Sequence, residues 1–189
     1  MRCLHDFTLS RDKTALILVD LQEKLFPAMD PEKKDRTLRN TVLLLDLARV
    51  LSLPVLYTEQ YPQGLGKTVP SISGKLPGGI EPFEKETFSS WQAEGFAPHF
   101  RFLGLNAAIL LGMESHVCVL ATALDMLKEG ISLHVPRDAV VSRTEENRKT
   151  GLDLMDRAGA VITSTETVIF QLLGRAGTAE FKAMSKLLK

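Results

Sequence analysis

The 189-residue chain contains 23 lysines and arginines, 23 aspartates and glutamates, and 44% hydrophobic residues. This balance offers no general attraction to nucleic acid or to anionic membranes, and no apolar run approaches the roughly 18 residues that a transmembrane helix requires. Because the start of the chain has no apolar signal segment and only two cysteines occur, we expect a cytoplasmic protein without a disulfide framework, folded as one domain over residues 1–189.

Apolar runs that alternate with helical patterns organise the whole chain. Residues 14–20 form a continuous apolar run, which is typical of a strand buried on both faces of a parallel sheet. Further strands are predicted at residues 53–58, 83–87, 106–111, 131–135 and from 160, and helices at about 35–51, 145–158, 165–173 and 178–188, with one more ending at Gly130. The alternation predicts a three-layer α/β/α domain with a six-stranded parallel sheet, a Rossmann-like arrangement.

The first predicted strand ends on an acidic residue, Asp20. The carboxyl ends of parallel strands form the edge at which open α/β sheets bind ligands, so Asp20 is a candidate for chemistry. The alternative is that Asp20 only caps the following turn or helix, a position in which aspartate is favoured.

The passage from Glu59 to Pro82 is polar, rich in glycine and too long for a simple connection, so we expect it to line or cover a site. Within it, residues 64–68 (GLGKT) look like the end of a phosphate-binding loop. The complete motif requires glycine at position 61, where this chain has Tyr61, and we therefore reject nucleotide binding. Further along, Lys85 lies between two glutamates, and this pattern alone is most typical of an exposed, salt-bridged lysine.

Cys118 follows the apolar strand at 106–111 and lies in the first turn of the next predicted helix. Unpaired backbone N–H groups and the helix dipole favour a thiolate at such a position. Val117, Leu120, Leu124 and Leu127 recur at helical spacing as one core-facing stripe, and Cys118 lies off this stripe. A nucleophile and a small buried structural cysteine are equally compatible with this pattern.

A cysteine nucleophile needs a proton acceptor. Of the four histidines, His116 is only two residues from Cys118 and would project from nearly the opposite side of the helix, while His5, His99 and His134 have no local signature. Asp20, at the same sheet edge, is the better-placed base. The scattered histidines form no metal-binding motif and no G-x-G-x-x-G follows the first strand, so neither a metal nor a dinucleotide is expected.

Three fragments of the chain carry a family pattern, namely residues 16–22 (LILVDLQ), 85–91 (KETFSSW) and 112–119 (GMESHVCV). In this order and at these separations they resemble the isochorismatase-like (cysteine hydrolase) superfamily. Residues 58–66 and 170–178 look more narrowly like the isochorismatase domain-containing proteins. The resemblance covers nearly the whole chain and implies the isochorismatase-like hydrolase fold, with six parallel strands.

The resemblance implies a catalytic triad of Asp20, Lys85 and Cys118 at the carboxyl edge of the sheet. The aspartate would act as general base toward the cysteine, and the lysine would favour the thiolate and orient the carboxylate. The thiolate would attack a carbonyl carbon to form a thioester, which water would hydrolyse. By the same analogy, the N–H groups of Glu114 and Cys118 would form an oxyanion hole beside a cis peptide bond between Met113 and Glu114.

The resemblance also suggests neighbours for the substrate and limits what can be transferred. Candidates for the substrate pocket are Gln22, Phe26, Gln60, Tyr61, Trp91 and His116. Nicotinamidase members hold a metal through an Asp-x-His pattern after the second strand, where this chain has residues 59–61 (EQY), so no catalytic metal and no cofactor is expected. True isochorismatases cleave a vinyl ether without this cysteine, so Cys118 favours a metal-independent hydrolase acting on a small amide-like (C–N) substrate.

Three other functions stay open. The fold could serve as a protein-interaction module whose activity is dispensable, Asp20 could support vinyl-ether hydrolysis, or Cys118 could be a redox sensor with Cys3 as its resolving partner. Neither nucleic acid nor a membrane is expected as a partner. By family analogy we expect a homo-oligomer, a dimer or tetramer. The apolar residues near the C-terminus could contribute to its interface, or they could pack back onto the same subunit. They are Phe181, Met184, Leu187 and Leu188.

Overall fold

The computed structural model describes residues 7–188. The strands are β1 (Thr14–Val19), β2 (Val55–Gln60), β3 (Phe83–Lys85), β4 (Ala107–Met113), β5 (Ser132–Pro136), β6 (Val140–Val141) and β7 (Val161–Thr163). The α-helices are α1 (Lys34–Leu51), α2 (Pro62–Leu65), α3 (Pro70–Ser73), α4 (Phe96–Phe102), α5 (Leu120–Lys128), α6 (Glu145–Ala158), α7 (Thr165–Leu173) and α8 (Ala179–Leu187). A π-helical turn, Ser115–Val119, precedes α5, and short 3-10 helices span Arg11–Lys13, Phe26–Ala28 and Ser90–Gln92.

The strands form one parallel sheet in the order β3-β2-β1-β4-β5-β7, with β6 paired to the end of β4. The predicted α/β fold class with a parallel sheet is confirmed, and within residues 7–188 the sheet has one strand more than the six predicted. The additional strand, β6, consists of only two residues, which is too short for an apolar run to stand out in the sequence.

The path of the chain reverses between β1 and β4. From β1 it proceeds through β2 to β3 at one edge, and then returns to β4 on the other side of β1. Since crossover connections in parallel sheets are right-handed, α1 and α5 cover opposite faces and the fold has three layers. The carboxyl ends of β1 and β4 therefore border a crevice of the kind in which such sheets bind ligands.

Strands β1 and β4 form the buried centre of the sheet. Every residue of both is buried, because each has a neighbouring strand on both sides and helices on both faces. At Gly112 the φ angle is +125°, and a Cβ atom there would overlap the carbonyl oxygen of Val19. Only glycine allows the end of β4 to approach the end of β1 this closely, next to Asp20.

The segment after β4 differs from the sequence prediction in two ways. Cys118 lies in a π-helical turn, which holds more residues per turn than the α-helix that was expected. The side of the helix that faces the core carries Val119, Ala123 and Met126, all fully buried, whereas Leu124 of the predicted stripe is 45% exposed. The predicted stripe is therefore correct only in part. Val117, Leu120 and Leu127 are half-buried against the core, but the most deeply buried side carries the small residue Ala123, which hydrophobic spacing did not single out.

The long polar passage after β2 lines a cavity of about 710 Å³. Glu59 is the register partner of Glu84, and Gln60 is the register partner of Lys85. Because successive residues of a strand point to opposite faces, the two glutamates line this cavity while Gln60 and Lys85 project to the other face of the sheet. The cavity is thus separated from Lys85 by the edge of the sheet.

The C-terminal helix α8 packs against α1. Met184 is fully buried, Phe181 and Leu188 are half-buried against the core, and Leu187 remains 45% exposed. Most of these apolar C-terminal residues therefore pack onto the same chain. This agrees with the second of the two expectations, in which they do not form an interface. Within residues 7–188, none of the helices combines the length and the apolar character needed to cross a membrane.

Candidate active site

Asp20 follows β1 directly and adopts a left-handed backbone conformation, with φ of 51°. Aspartate tolerates this conformation better than most residues. Its side chain is fully buried, and its Oδ1 atom accepts a hydrogen bond of 2.7 Å from Thr58 Oγ1 of the neighbouring strand β2. The carboxylate is therefore bound by side chains of other strands, which argues against a simple capping role.

Lys85 is the last residue of β3 and is also buried. Its Nζ atom donates to Asp20 Oδ2 and to Gln60 Oε1, both at 2.7 Å, and lies 3.3 and 3.2 Å from the carbonyl oxygens of Thr87 and Phe88. Lys85 and Asp20 form an ion pair, and both side chains have 0% exposure. The interpretation of Lys85 as an exposed surface lysine is therefore wrong, because only its two flanking glutamates face the solvent.

Cys118 lies in the π-helical turn beyond the end of β4, with 7% of its surface exposed. Its Sγ atom lies 4.0 Å from Gln60 Oε1, and its carbonyl oxygen accepts a hydrogen bond of 2.7 Å from Thr122 Oγ1. The carboxylate of Asp20 and the ammonium of Lys85 both act on its thiol. The structure thus brings the three residues of the expected triad together at the carboxyl edge of the sheet.

The thiol of Cys118 is harder to ionise than a free cysteine. The pKa of the thiol is raised from 9.0 to about 12, mainly by burial and next by the negative charge of Asp20. The positive charge of Lys85 lowers the pKa, but by less. The expectation that the helix start favours a thiolate is therefore wrong for the resting site. The site holds a neutral thiol next to a buried carboxylate.

The backbone turns sharply between β4 and the cysteine. The peptide bond between Met113 and Glu114 is cis. The carbonyl oxygen of Glu114 accepts from the N–H groups of Val117 and Val119, at 3.1 and 3.2 Å. Its side-chain Oε2 accepts from the backbone N–H and the Nε atom of Arg143, at 3.2 and 3.0 Å. Glu114 is thus held through both its backbone and its side chain at the start of the π-helical turn.

The π-helical turn also rests against α6 and the segment before it. Ser115 Oγ lies 2.5 Å from the buried Ser142 Oγ, and His116 Nδ1 lies 3.0 Å from the same hydroxyl. A Cβ atom at Gly151 of α6 would lie 2.5 Å from the carbonyl oxygen of Ser115. The side chain of His116 therefore bonds to Ser142 and not to Cys118, in agreement with the sequence argument against a Cys–His pair.

Two of the six candidates for the substrate pocket belong to the triad's surroundings. Gln60 lies in the site itself, where its side chain contacts Lys85 and the Cys118 sulfur. Gln22 is fully buried behind it and bonds to the backbone of Gln60 through both ends of its own amide, at 2.8 and 2.9 Å. Gln22 is thus a supporting residue, and its amide is already occupied by the protein.

The structure places the remaining candidates elsewhere. The ring of Trp91 packs edge-on against Phe96 and Phe100 in the core, so its place in the pocket is not supported. Tyr61 is 52% exposed, although its backbone N–H donates to the carbonyl oxygen of Lys85 at 2.8 Å. Phe26 is half-buried on the segment that follows β1. These two aromatic residues lie at the surface, near the segments that carry the triad.

Sequence reasoning missed several residues that hold the site together. Thr58 binds Asp20, and its hydroxyl lies 3.2 Å from Ser90 Oγ. Thr58 precedes Gln60 by two positions, so strand alternation would have placed it on the same face once Gln60 was selected. Ser142 lies in a short loop after β6, where nothing in the sequence distinguishes it from any other surface serine.

No three histidine, cysteine, aspartate or glutamate side chains among residues 7–188 are grouped so that they could hold a metal ion. Cys3, the suggested redox partner, and His5 lie outside the described residues.

Comparison with known proteins identifies the family of the chain. The family model for the isochorismatase domain matches residues 14–167. Mouse isochorismatase domain-containing protein 2A is 37% identical over 180 residues, which cover 94% of this chain and 84% of the mouse protein.

Solved structures extend the comparison. The MAR1 ribonuclease of Caenorhabditis elegans has a TM-score of 0.87 and 36% identity, covering 96% of this chain and 92% of its own. The YcaC gene product of Escherichia coli, described as an octameric hydrolase of unknown specificity, has a TM-score of 0.86 and 26% identity, with 96% and 90% covered. YcaC from Pseudomonas aeruginosa, solved with hexane-2,5-diol and covalent acrylamide, has a TM-score of 0.87 and 25% identity, with 96% and 91% covered. The chain belongs to the isochorismatase family.

Proposed function

We propose that this protein is a metal-independent cysteine hydrolase that cleaves the C–N bond of a small amide-like substrate. The observation that carries the proposal is the buried Asp20–Lys85 ion pair acting on the thiol of Cys118. A fully buried ion pair is costly to desolvate, and such pairs beside a nucleophilic side chain are typical of catalytic sites. The lysine and the carboxylate have no other charged partner at this edge of the sheet among residues 7–188.

The reaction begins with transfer of the thiol proton from Cys118 to Asp20. The sulfur electron pair forms a bond to the carbonyl carbon, and the C=O π electrons move to the oxygen. When this oxyanion collapses, the C–N bond breaks and the leaving amine takes the proton from Asp20. Water then loses a proton to Asp20 and attacks the thioester, and the departing sulfur recovers that proton. The products are a carboxylic acid and an amine, or ammonia.

Lys85 has two tasks in this scheme. Its ammonium compensates the negative charge on whichever partner carries it, first the carboxylate of Asp20 and then the sulfur of Cys118. Its bonds to the loop after β3 also keep the carboxylate in place. The N–H groups of Glu114 and Cys118 are the proposed oxyanion hole, since Glu114 caps the start of the turn that contains Cys118 and presents its sulfur.

Two relatives support hydrolase chemistry with a nucleophile on this fold. The P. aeruginosa YcaC structure contains covalent acrylamide, an electrophile that carries an amide group. The E. coli YcaC is described as a hydrolase. Both share the fold of this chain over 96% of its length.

The decisive experiment compares Cys118→Ala with Cys3→Ala, the same substitution at the other cysteine. A panel of small amides is screened with wild type, and both variants are assayed on the amide that turns over. We expect the Cys118 variant to lose at least about 10³-fold in kcat/KM, while the Cys3 variant keeps the wild-type rate. Wild-type hydrolysis by Cys118→Ala would overturn the assignment of the nucleophile.

The same variants separate the alternatives. A vinyl-ether hydrolase would lose activity on replacement of Asp20 but keep it in Cys118→Ala. RNA belongs in the panel because the C. elegans relative is named a ribonuclease. An interaction module would show no turnover of any compound in the panel, by wild type or by either variant.

We also propose that the protein assembles as a homo-oligomer. The E. coli relative is described as octameric, and Leu187 and Phe170 each leave 45% of their surface exposed at the C-terminal end of the chain. Light scattering coupled to gel filtration gives the molar mass directly. A mass equal to that of one chain at assay concentrations would contradict assembly.

A further inference from the structure

The side-chain oxygen of Gln60 contacts both the ammonium of Lys85 and the sulfur of Cys118. Gln60 Oε1 accepts a hydrogen bond of 2.7 Å from Lys85 Nζ, and it is 4.0 Å from Cys118 Sγ. Gln60 is the last residue of β2 and the register partner of Lys85 in β3, so both side chains leave the sheet on the same face. The contact is therefore set by the pairing of two strands and not by a flexible loop.

The orientation of the Gln60 amide is fixed at both ends. Its Nε2 atom donates to the carbonyl oxygen of Glu86 at 2.9 Å, so the oxygen must face Lys85 and the sulfur. Its backbone N–H donates to Gln22 Oε1 at 2.8 Å, and its carbonyl oxygen accepts from Gln22 Nε2 at 2.9 Å. Because Gln22 is fully buried, the backbone of Gln60 is held by a group that solvent does not reach.

The oxygen of Gln60 is one of only two close acceptors for the Lys85 ammonium. An ammonium has three N–H donors. Asp20 and Gln60 accept two of them at 2.7 Å, whereas the carbonyl oxygens of Thr87 and Phe88 share the third at 3.3 and 3.2 Å. Without Gln60 the ammonium would lose a short bond on the side nearest the sulfur, and Asp20 would be its one remaining close acceptor.

An amide at this position also matters because it has no charge. The thiol of Cys118 already faces one carboxylate, Asp20, which opposes its ionisation. A carboxylate at position 60 would place a second negative charge about 4 Å from the sulfur, where Coulomb repulsion in a partly buried site is strong. A neutral oxygen can hold the ammonium without adding this repulsion.

We propose that Gln60 is a positioning residue, whose uncharged side-chain oxygen holds the Lys85 ammonium next to the Cys118 sulfur and so sets the reactivity of the thiol. The inference rests on the proposed function in that Cys118 is taken as the nucleophile. It goes beyond the expected triad, and it gives Gln60 a role toward Lys85 and not toward the substrate.

The test measures the rate at which acrylamide alkylates Cys118 between pH 6 and pH 10. In this reaction the sulfur bonds to the terminal carbon of acrylamide, the C=C π pair moves to the neighbouring carbon, and water protonates that carbon. Peptide mass spectrometry reports Cys118 separately from Cys3. The variants are Gln60→Glu, which has almost the same shape but adds a charge, and Gln63→Glu, the same change at an exposed position three residues away.

We expect the rate of Gln60→Glu to be about tenfold lower than wild type at every pH below the midpoint of thiol ionisation, which corresponds to an upward pKa shift of about one unit. Gln63→Glu is expected to coincide with wild type, because its charge is exposed and screened. A purely structural role for Gln60 would lower the melting temperature and leave the rate of the folded protein unchanged. Coincidence of Gln60→Glu with wild type would overturn the inference.

A second variant keeps the inference testable if Gln60→Glu does not fold. Gln60→Leu removes the oxygen without adding a charge, and we expect a rate between those of wild type and Gln60→Glu, about three- to tenfold below wild type. A rate equal to wild type in Gln60→Leu would also overturn the inference. Alkylation needs no substrate, so these alkylation rates test the role of Gln60 separately from the proposed function. Failure of the proposed function would be seen in a different assay, as hydrolysis by Cys118→Ala.

Discussion

The Cys118 thiol can lose its proton in two ways that differ in electrostatic cost. Ionisation to solvent leaves a new negative charge in a buried site that already contains Asp20, and for this process the pKa is raised to about 12. Transfer to Asp20 leaves the net charge of the site unchanged, because the single negative charge only moves from oxygen to sulfur beside the same ammonium. The resting site is therefore protected from unproductive ionisation but prepared for transfer.

Replacement of Asp20 should separate reactivity from turnover. In Asp20→Asn the negative charge that raises the thiol pKa is gone, while Lys85 still lowers it. We expect alkylation of Cys118 at pH 7.5 to become several-fold faster while hydrolysis is lost, because the base is missing. Asp125→Asn, a matched change on α5, should alter neither rate. Slower alkylation in Asp20→Asn would contradict the assigned charge effect.

The buried thiol should also make stability depend on pH. Its pKa is raised on folding, so the folded state binds the proton more tightly and gains stability that is complete below the unfolded pKa of 9.0. This contribution is lost as the pH rises from 9 toward 12, at up to about 1.4 kcal/mol for each pH unit.

The difference between wild type and Cys118→Ala isolates this effect. Urea unfolding at pH 7.5 and pH 10.5 should show that wild type loses stability relative to the variant at the higher pH. A difference in the free energy of unfolding that stays constant between the two pH values would contradict the raised pKa.

Among the residues of the site, Asp20 could be predicted from a local sequence pattern, whereas residues defined by their contacts could not. Asp20 ends an apolar run, so its place at the carboxyl edge follows from the sequence. Lys85 carries no such signal, because a lysine between two glutamates is most often exposed, and only its resemblance to a family motif singled it out. Ser142 depends on how the segment after β6 folds against the π-helical turn, which no local pattern encodes.

At the scale of secondary-structure elements, local signals decided which boundaries could be predicted. Helix α6 begins and ends where expected, since Thr144 Oγ1 accepts from the N–H of Asn147 at its start and Gly159 adopts a left-handed conformation at its end. The π-helical turn before α5 has no comparable signal. Its conformation depends on Ser115 and the residues of α6 packed against it, so its register could not be read from hydrophobic spacing.

Gly151 of α6 should therefore be essential to the shape of the π-helical turn. A Cβ atom there would lie 2.5 Å from the carbonyl oxygen of Ser115, 2.7 Å from its carbonyl carbon and 2.8 Å from the N–H nitrogen of His116, all backbone atoms that cannot move aside independently. We expect Gly151→Ala to destabilise the protein by about 1–3 kcal/mol and to slow alkylation of Cys118, which lies two residues beyond His116.

Gly78→Ala is the matched control, because nothing lies within 4 Å of a Cβ atom at that position. Its urea midpoint and alkylation rate should equal those of wild type. A Gly151→Ala variant that matches wild type in both measurements would show that α6 does not set the position of the turn.

At the scale of the whole molecule, the Asp20–Lys85 ion pair also joins distant parts of the chain. Asp20 and Lys85 are 65 positions apart in sequence and belong to β1 at the centre of the sheet and β3 at its edge, with β2 between them. Strand β3 has only three residues, and pairs with β2 over three register positions. The ion pair is thus one of the contacts that holds the short edge strand against the rest of the sheet.

A double-mutant cycle should reveal this structural role. Asp20→Asn or Lys85→Met alone leaves a buried charge without its partner, and we expect each to lower the free energy of unfolding by about 3–5 kcal/mol. The double variant has no unpaired charge, so its loss should be smaller than the sum of the two by at least about 1 kcal/mol.

The exposed pair Arg101–Glu129, also 2.7 Å apart, is the control and should show coupling of about 0.2–1 kcal/mol. Urea unfolding at pH 7.5 measures both cycles, and additive losses at Asp20 and Lys85 would mean that the pair serves the chemistry without stabilising the sheet edge.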